Sequence, residues 1–184
     1  MHRPIANADK DCNSNKMSSV LETFVRPLIG AIAWDVKQGH GSFLTFNFGE
    51  PKLIVRERFS RTVRTGRTVT VRGDSHIWIE CCHWRILDDN NQIAFSEDSC
   101  ETIAKATAVL NGQRLVAIDV SNGKTWFYFD VEGLLETWPY EDDPRREQWT
   151  IFHGEECFSY RTDGLAHLGP SDTLPEDKAW QILT

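Results

Sequence analysis

At 184 residues the chain is long enough for one domain with a proper core, and its 40% hydrophobic and 26% charged residues make a globular mixture that excludes a disordered chain. A formal charge of −7 argues against general nucleic-acid binding, which draws on an excess of Lys and Arg, and no stretch approaches the ~18 apolar residues of a membrane span. Five cysteines without a regular framework, and a first twenty residues without an apolar signal region, lead to the expectation of a reduced, cytoplasmic protein with free thiols.

Residues 1–18 are polar and aperiodic and read as a mobile tail. Ser18 or Ser19 is placed to cap a short helix through Val20, Leu21, Phe24, Val25 and Leu28, although Pro27 leaves a turn open as the alternative. Ala31 to Val36 reads as a first strand, ended by a turn at Gly39-His40-Gly41. From Ser42 the period becomes two, with Leu44, Phe46 and Phe48 on one face. Gly49-Glu50-Pro51 is turn chemistry, so Leu53-Ile54-Val55 is expected to return as the hairpin partner. Residues 56–72 form a basic island, six arginines against Glu57 alone, expected as a ribbon or long connection.

His76 to Leu87 reads as one long strand, apolar on both faces and therefore central and covered on both sides. Asp88 to Asn91 turns it into a return strand at Gln92 to Phe95. The clearest helix runs from Asp98 to Leu110, with Ser or Asp at its N-cap, Glu101 against the positive end of its dipole and Asn111-Gly112 as its stop. Strands follow at Leu115 to Val120, Thr125 to Phe129, Leu134 to Thr137, Gln148 to Phe152, Cys157 to Arg161 and Leu165 to Leu168, each closed by a turn. Residues 169–184 read as a C-terminal tail that docks through Trp180.

Seven Trp and ten Phe favour cross-strand aromatic pairs. The expected fold is α+β and mostly β: two antiparallel β-meanders forming a sandwich or rolled sheet, with one main helix between them. The domain spans 19–168, with a pseudo-repeat of 41–96 and 115–168. Phe46-x-Phe48 matches Phe127-x-Phe129 in this repeat, and Trp78-Ile79 is set against Trp149-x-Ile151.

Chemical motifs are few. Cys81-Cys82-His83 lacks the spaced pairs of a zinc site, and the thiols read as small buried hydrophobes, so no metal is expected. Neither a nucleophile elbow nor a phosphate-binding glycine loop is present, so no catalytic residue or cofactor is assigned. Two surfaces remain. One is the acidic loop, Glu141, Asp142 and Asp143, with Trp138 and Tyr140 as aromatic anchors. The other is the arginine ribbon, Arg58, Arg61, Arg64 and Arg67, which either grips an acidic partner or RNA, or pairs with the acidic loop and is neutralised.

The runs GHGSFLTFNFGEPKL, SEDSCETIAKATAVLNGQRL and FDVEGLLETWPYEDD, with EQWTIF after them, resemble a bacterial family of small uncharacterised β-rich proteins. The later pattern, FD-x-x-G-x-L followed by a loop and W-x-I, is similar to domains regarded as immunity proteins of bacterial toxin systems. The resemblance covers residues 28–168 and carries no active-site position. It implies a bacterial cytosolic protein that binds and blocks a toxin or another protein. The leading expectation is thus a non-enzymatic protein-binding module of the immunity type. The alternatives are an RNA- or nucleotide-binding protein that uses the arginine ribbon, and an enzyme.

Overall fold

The structure, a computed structural model, describes residues 19–60, 63–143 and 145–183. The expected N-terminal tail, 1–18, lies outside the described residues. A short helix α1 (Ser19–Val25) is followed by β1 (Trp34–Gln38), β2 (Leu44–Phe48), β3 (Lys52–Ser60), β4 (Val63–Arg72), β5 (Ser75–Ile79), β6 (Cys82–Asp88) and β7 (Asn91–Phe95). Helix α2 (Cys100–Leu110) then leads to β8 (Leu115–Ser121), β9 (Lys124–Phe129) and β10 (Gly133–Pro139). The chain closes with β11 (Glu147–His153), β12 (Glu156–Arg161), β13 (Leu165–Pro170), a 3-10 turn at Pro175–Asp177 and β14 (Gln181–Ile182). The protein is mostly β and antiparallel, with few helices.

Two sheets face one another. The larger has the order β1-β2-β5-β11-β12-β13-β14 and the smaller β7-β6-β10-β9-β8. Between them lies an aromatic interior. Phe46 of the larger sheet stacks on Phe129 of the smaller at 6.1 Å, and Phe127 meets Trp149 edge-on at 5.8 Å. Trp149 also stacks on Phe158 and Tyr160, and its indole Nε1 donates to Thr125 Oγ1 across the gap at 2.8 Å. Burying large rings this way removes much apolar area from water, while the one polar atom of the indole keeps a partner.

Each half of the chain lays three strands into one sheet, crosses, and lays at least two into the other, the second half adding β13 and β14 beyond them. Strands β1, β2 and β5 are followed across by β6 and β7; β8, β9 and β10 are followed across by β11 and β12. The halves join at the sheet centres, where β5 pairs with β11 and β6 with β10. In this scheme Phe46-x-Phe48 on β2 and Phe127-x-Phe129 on β9 occupy equivalent places. The counterpart of Trp149-x-Ile151 on β11 is Trp84-x-Ile86 on β6, in place of Trp78; all four of these side chains are fully buried.

Two sequence expectations are corrected by this topology. The long strand at His76 to Leu87 is two strands in opposite sheets, divided at Glu80-Cys81, where Cys81 takes a positive φ of 38°. The bend shifts the alternation by one residue. Ile77 and Ile79 point inward before it, and Cys82, Trp84 and Ile86 after it, so both phases look apolar without either strand being covered twice. The expected hairpin of Leu44–Phe48 with Leu53–Val55 does not form either. β2 pairs with β1 and β5, while β3 pairs with β4 in a separate two-stranded ribbon.

The helices close the sandwich at its sides. Ser99 Oγ accepts from the Thr102 amide at the start of α2, and Ile103, Ala106, Thr107 and Leu110 form its buried face against β1, β6 and β7. Phe24 of α1 packs on Phe158. Residues after β13, expected as a tail, run back across the larger sheet: β14 pairs with Leu165–Ala166, and Trp180 lies under Arg161 at 4.8 Å. No helix among the described residues is long and apolar enough to cross a membrane.

Both crossings meet at Gln148, a fully buried residue. Its carbonyl accepts from the Glu80 amide and the Cys82 thiol, its side-chain oxygen accepts from Thr137 Oγ1 at 3.1 Å, and its Nε2 donates to the Gly123 carbonyl at 2.6 Å. We therefore expect Gln148→Leu, close in volume but unable to bond, to destabilise the fold by about 1–3 kcal/mol by stranding the Thr137 hydroxyl. A urea midpoint that falls with an unchanged slope checks this.

Candidate binding surface on the arginine ribbon

The ribbon of β3 and β4 leaves the larger sheet between β2 and β5. Asp74 ties down its base: one carboxylate oxygen accepts from the Glu50 amide at 3.0 Å and the other pairs with Lys52. These contacts hold the Asp74 carboxyl below the usual range and raise the Lys52 ammonium. Gly73 donates its amide to Asn47 Oδ1 and lies directly against the Phe48 backbone.

Alternation gives the ribbon two unlike faces. Leu53 opposes Val71 and Val55 opposes Val69, and this face continues into the Glu57–Arg67 ion pair at 2.7 Å. These four apolar side chains are 70%, 45%, 53% and 53% exposed in that order. Phe59 and Val63 extend the exposed apolar surface towards the tip. The opposite face carries Ile54, Arg56 and Arg58 and looks onto a cleft of about 400 Å³ against the outer face of the larger sheet. Arg72, at the end of β4, lies over Trp78 at 5.3 Å and hydrogen-bonds His76 Nε2 at 2.8 Å. His76 stacks on Phe152 at 4.4 Å, and burial together with Arg72 pushes its pKa down to about 4, so the ring is neutral at pH 7.

Of the four predicted ribbon arginines, Arg58 and Arg67 lie on opposite faces and Arg64 stands opposite Phe59 in the ladder. Arg61 lies outside the described residues. Trp138 and Tyr140 are brought together on the outer face of the smaller sheet. His83 meets Tyr140 at 4.5 Å, Trp138 stacks on Phe95 at 5.8 Å, and Arg85 lies over Trp138 while pairing with Glu136. The acidic loop folds on itself: Asp142 and Asp143 pair with Arg146, and the Asp143 carbonyl accepts from Thr162. Glu141 has no ion pair among the described residues.

Among the described residues no ion pair joins the ribbon to the acidic loop: Arg67 pairs with Glu57, and Asp142 and Asp143 pair with Arg146. The ribbon is attached beside Ser75, at one end of the β5–β11 pair, and the loop enters beside Ile79 and Glu80, at the other. Four residues of strand, about 13 Å, separate the two attachment points.

Sequence reasoning counted Arg56 and Arg72 in the basic island without choosing them as binding residues, and missed His76 and Trp78 on β5 and Phe152 on β11. It also missed the apolar face, although Leu53, Val55, Val69 and Val71 alternate visibly with polar residues. A buried polar cluster under the C-terminal segment was not foreseen. Lys178 Nζ bonds Glu147 Oε2 at 2.6 Å and Ser159 Oγ at 3.0 Å, and Glu80 is pushed up to about 7 by burial and the neighbouring Glu147. No group of three or more His, Cys, Asp or Glu placed to hold a metal occurs among the described residues.

Two expected outcomes test this geometry. A Cβ at Gly73 would overlap the Phe48 carbonyl oxygen, whereas one at Gly66 meets nothing within 4 Å. Gly73→Ala should therefore cost at least about 1–3 kcal/mol in chemical denaturation, and Gly66→Ala should not destabilise. Glu80 and His76 have opposite pH signatures. Glu80, raised from 4.5 to about 7, contributes stability at acid pH that is lost as pH rises through 7; His76, lowered from 6.5 to about 4, contributes stability that is lost as pH falls from 6.5 to 4. Relative to wild type, Glu80→Gln should gain stability as pH rises from 4.5 to 7, and His76→Gln should gain it as pH falls from 6.5 to 4. Each change is on the order of 2–3 kcal/mol at full extent, read from denaturation across the range.

Compared with family models, curated proteins and solved structures, the chain matches none.

Proposed function

We propose that the protein is a non-enzymatic protein-binding module, an immunity-type inhibitor whose β3–β4 ribbon engages an acidic protein such as a bacterial toxin. The observation that carries this reading is the uncovered apolar face of the ribbon, Leu53, Val55, Val69 and Val71. A two-stranded ribbon is marginal by itself, and apolar side chains held in water on one do nothing for the stability of the body. They gain their value when a second surface covers them.

Charge sets the chemistry of the partner. Six arginines lie between residues 56 and 72 against the single Glu57, and Arg56, Arg58 and Arg72 have no carboxylate partner among the described residues. A partner surface with an apolar ridge rimmed by Asp and Glu complements this arrangement, and the long-range field of the ribbon would speed encounter. RNA fits the arginines but not the valines.

The test is capture of partners from the native host with wild-type protein, with Val55→Asp/Val69→Asp, and with Val131→Asp as an exposed control outside the ribbon. Wild type and control should retain one acidic protein, and the double variant should lose it at least about tenfold while keeping its circular dichroism. A partner held equally by all three chains, or RNA recovered in its place, would overturn the reading.

A further inference from the structure

The cleft under the ribbon brings arginines and aromatic side chains together. One wall is the ribbon face with Ile54 and Arg56; the other is the sheet face with His76, Trp78 and Phe152; Arg72 stands between them. Two guanidinium groups line it, Arg56 and Arg72, and neither has a carboxylate partner among the described residues. The one acid that lines the cleft, Asp74, is taken by Lys52 and the Glu50 amide. Arg72 gives a hydrogen bond to a neutral imidazole and lies on an indole, leaving further guanidinium N–H groups without an anionic partner.

We infer that this cleft binds a nucleoside monophosphate, with the phosphate held between Arg56 and Arg72 and the planar base against the Trp78–Phe152 wall. Two forked cations suit a phosphate dianion better than a single carboxylate, because each guanidinium donates two parallel bonds to one pair of oxygens. The aromatic wall, with Ile54 opposite, supplies a slot for a flat ring, and base-on-ring stacking adds affinity without choosing among bases. A cleft of about 400 Å³ falls within the range of small-ligand sites. His76 completes the arrangement: uncharged, it accepts from Arg72 and fixes the guanidinium without adding a cation that would bind phosphate alone. This site is separate from the apolar face of the ribbon, so it stands or falls independently of the protein-binding reading.

Calorimetric titration of the full chain with adenosine 5′-monophosphate, uridine 5′-monophosphate, adenosine, inorganic phosphate and an oligoadenylate tests the inference. Both monophosphates should bind saturably, with adenosine and phosphate each at least about tenfold weaker. Arg72→Lys, which keeps the charge and loses the fork, should weaken the monophosphates about tenfold or more. Arg56→Gln, on an exposed ribbon position, should do the same and covers the case in which loss of Arg72 disturbs the fold. Phe152→Leu should weaken the monophosphates and leave phosphate unchanged, and Val55→Asp/Val69→Asp should leave all of them unchanged. No saturable binding of either monophosphate at millimolar concentration overturns the inference. So does equal binding of phosphate and monophosphate, or binding confined to the oligonucleotide and lost on changing Arg58 and Arg67 instead of Arg56 and Arg72.

Discussion

The hydrogen bonds of Gln148 are the constraint on which the architecture turns. The chain passes from one sheet to the other twice within the domain core, at Glu80-Cys81 and between β10 and β11, and both passages are joined at this one side chain and its carbonyl. A fully satisfied polar network in a low-dielectric interior is directional in a way that apolar packing is not. It fixes which residue of β11 stands beside the start of β6, and so fixes the register of both central strand pairs. The costs of the corner are visible around it: a non-glycine residue in the left-handed region at Cys81, and a carboxyl at Glu80 confined beside a second carboxyl at Glu147. Lys178 offsets part of that repulsion, which accounts for the C-terminal segment lying across this sheet and not away from it.

The same topology shows why the ribbon is the feature to explain. Where β2 and β5 are equivalent to β9 and β10, the second half connects its strands through residues 130–132, while the first half spends residues 49–74 on the same step. The sandwich closes without the ribbon in one half and carries it in the other. Its side chains add little to the core: Ile54 is only half-buried, and Leu53, Val55, Val69 and Val71 are in water. It is an addition that packing does not require, anchored firmly by Gly73, Asp74 and Lys52, with most of its side chains held in water.

Much of this fold was legible in the sequence because local chemistry decides it. The N-cap at Ser99, the Asn111-Gly112 stop, the alternation of Phe46 and Phe48, and the turns at Asp89-Asn90 and Asn122-Gly123 are local devices that work wherever the chain goes. Sheet membership is not local. His76 to Leu87 carries apolar residues in both phases, and a central strand and a corner with a one-residue phase shift write the same letters. The β2–β3 hairpin failed for a related reason: Gly49 permits a turn, but the backbone that fills the place beside Phe48 is decided 24 residues later by Gly73, the residue small enough to lie there. The site was legible only in part. An excess of arginine is a sequence fact, but that Arg72 meets Trp78 and His76, and that Phe152 arrives beside them from β11, follows from strand order.

Arginines on an exposed ribbon have a second physical role, since free strand edges invite pairing with other chains and charged side chains discourage it. That role suits Arg58, and Arg67 with its Glu57 partner, which stand in water well out along the strands. It does not suit Arg72. A half-buried guanidinium laid on an indole, with its charge disfavoured by burial and by Arg56 nearby, guards no edge and weakens no alternative pairing. Burying an unpaired cation costs free energy that the fold could have avoided with a leucine or glutamine at that position. An anion in the cleft would offset that cost, whether the phosphate of a small ligand or a carboxylate of a bound protein. The aromatic wall beside it favours the former, because His76, Trp78 and Phe152 form an aromatic surface next to the cations, with Trp78 set edge-on to Phe152, that an aspartate side chain would leave uncovered.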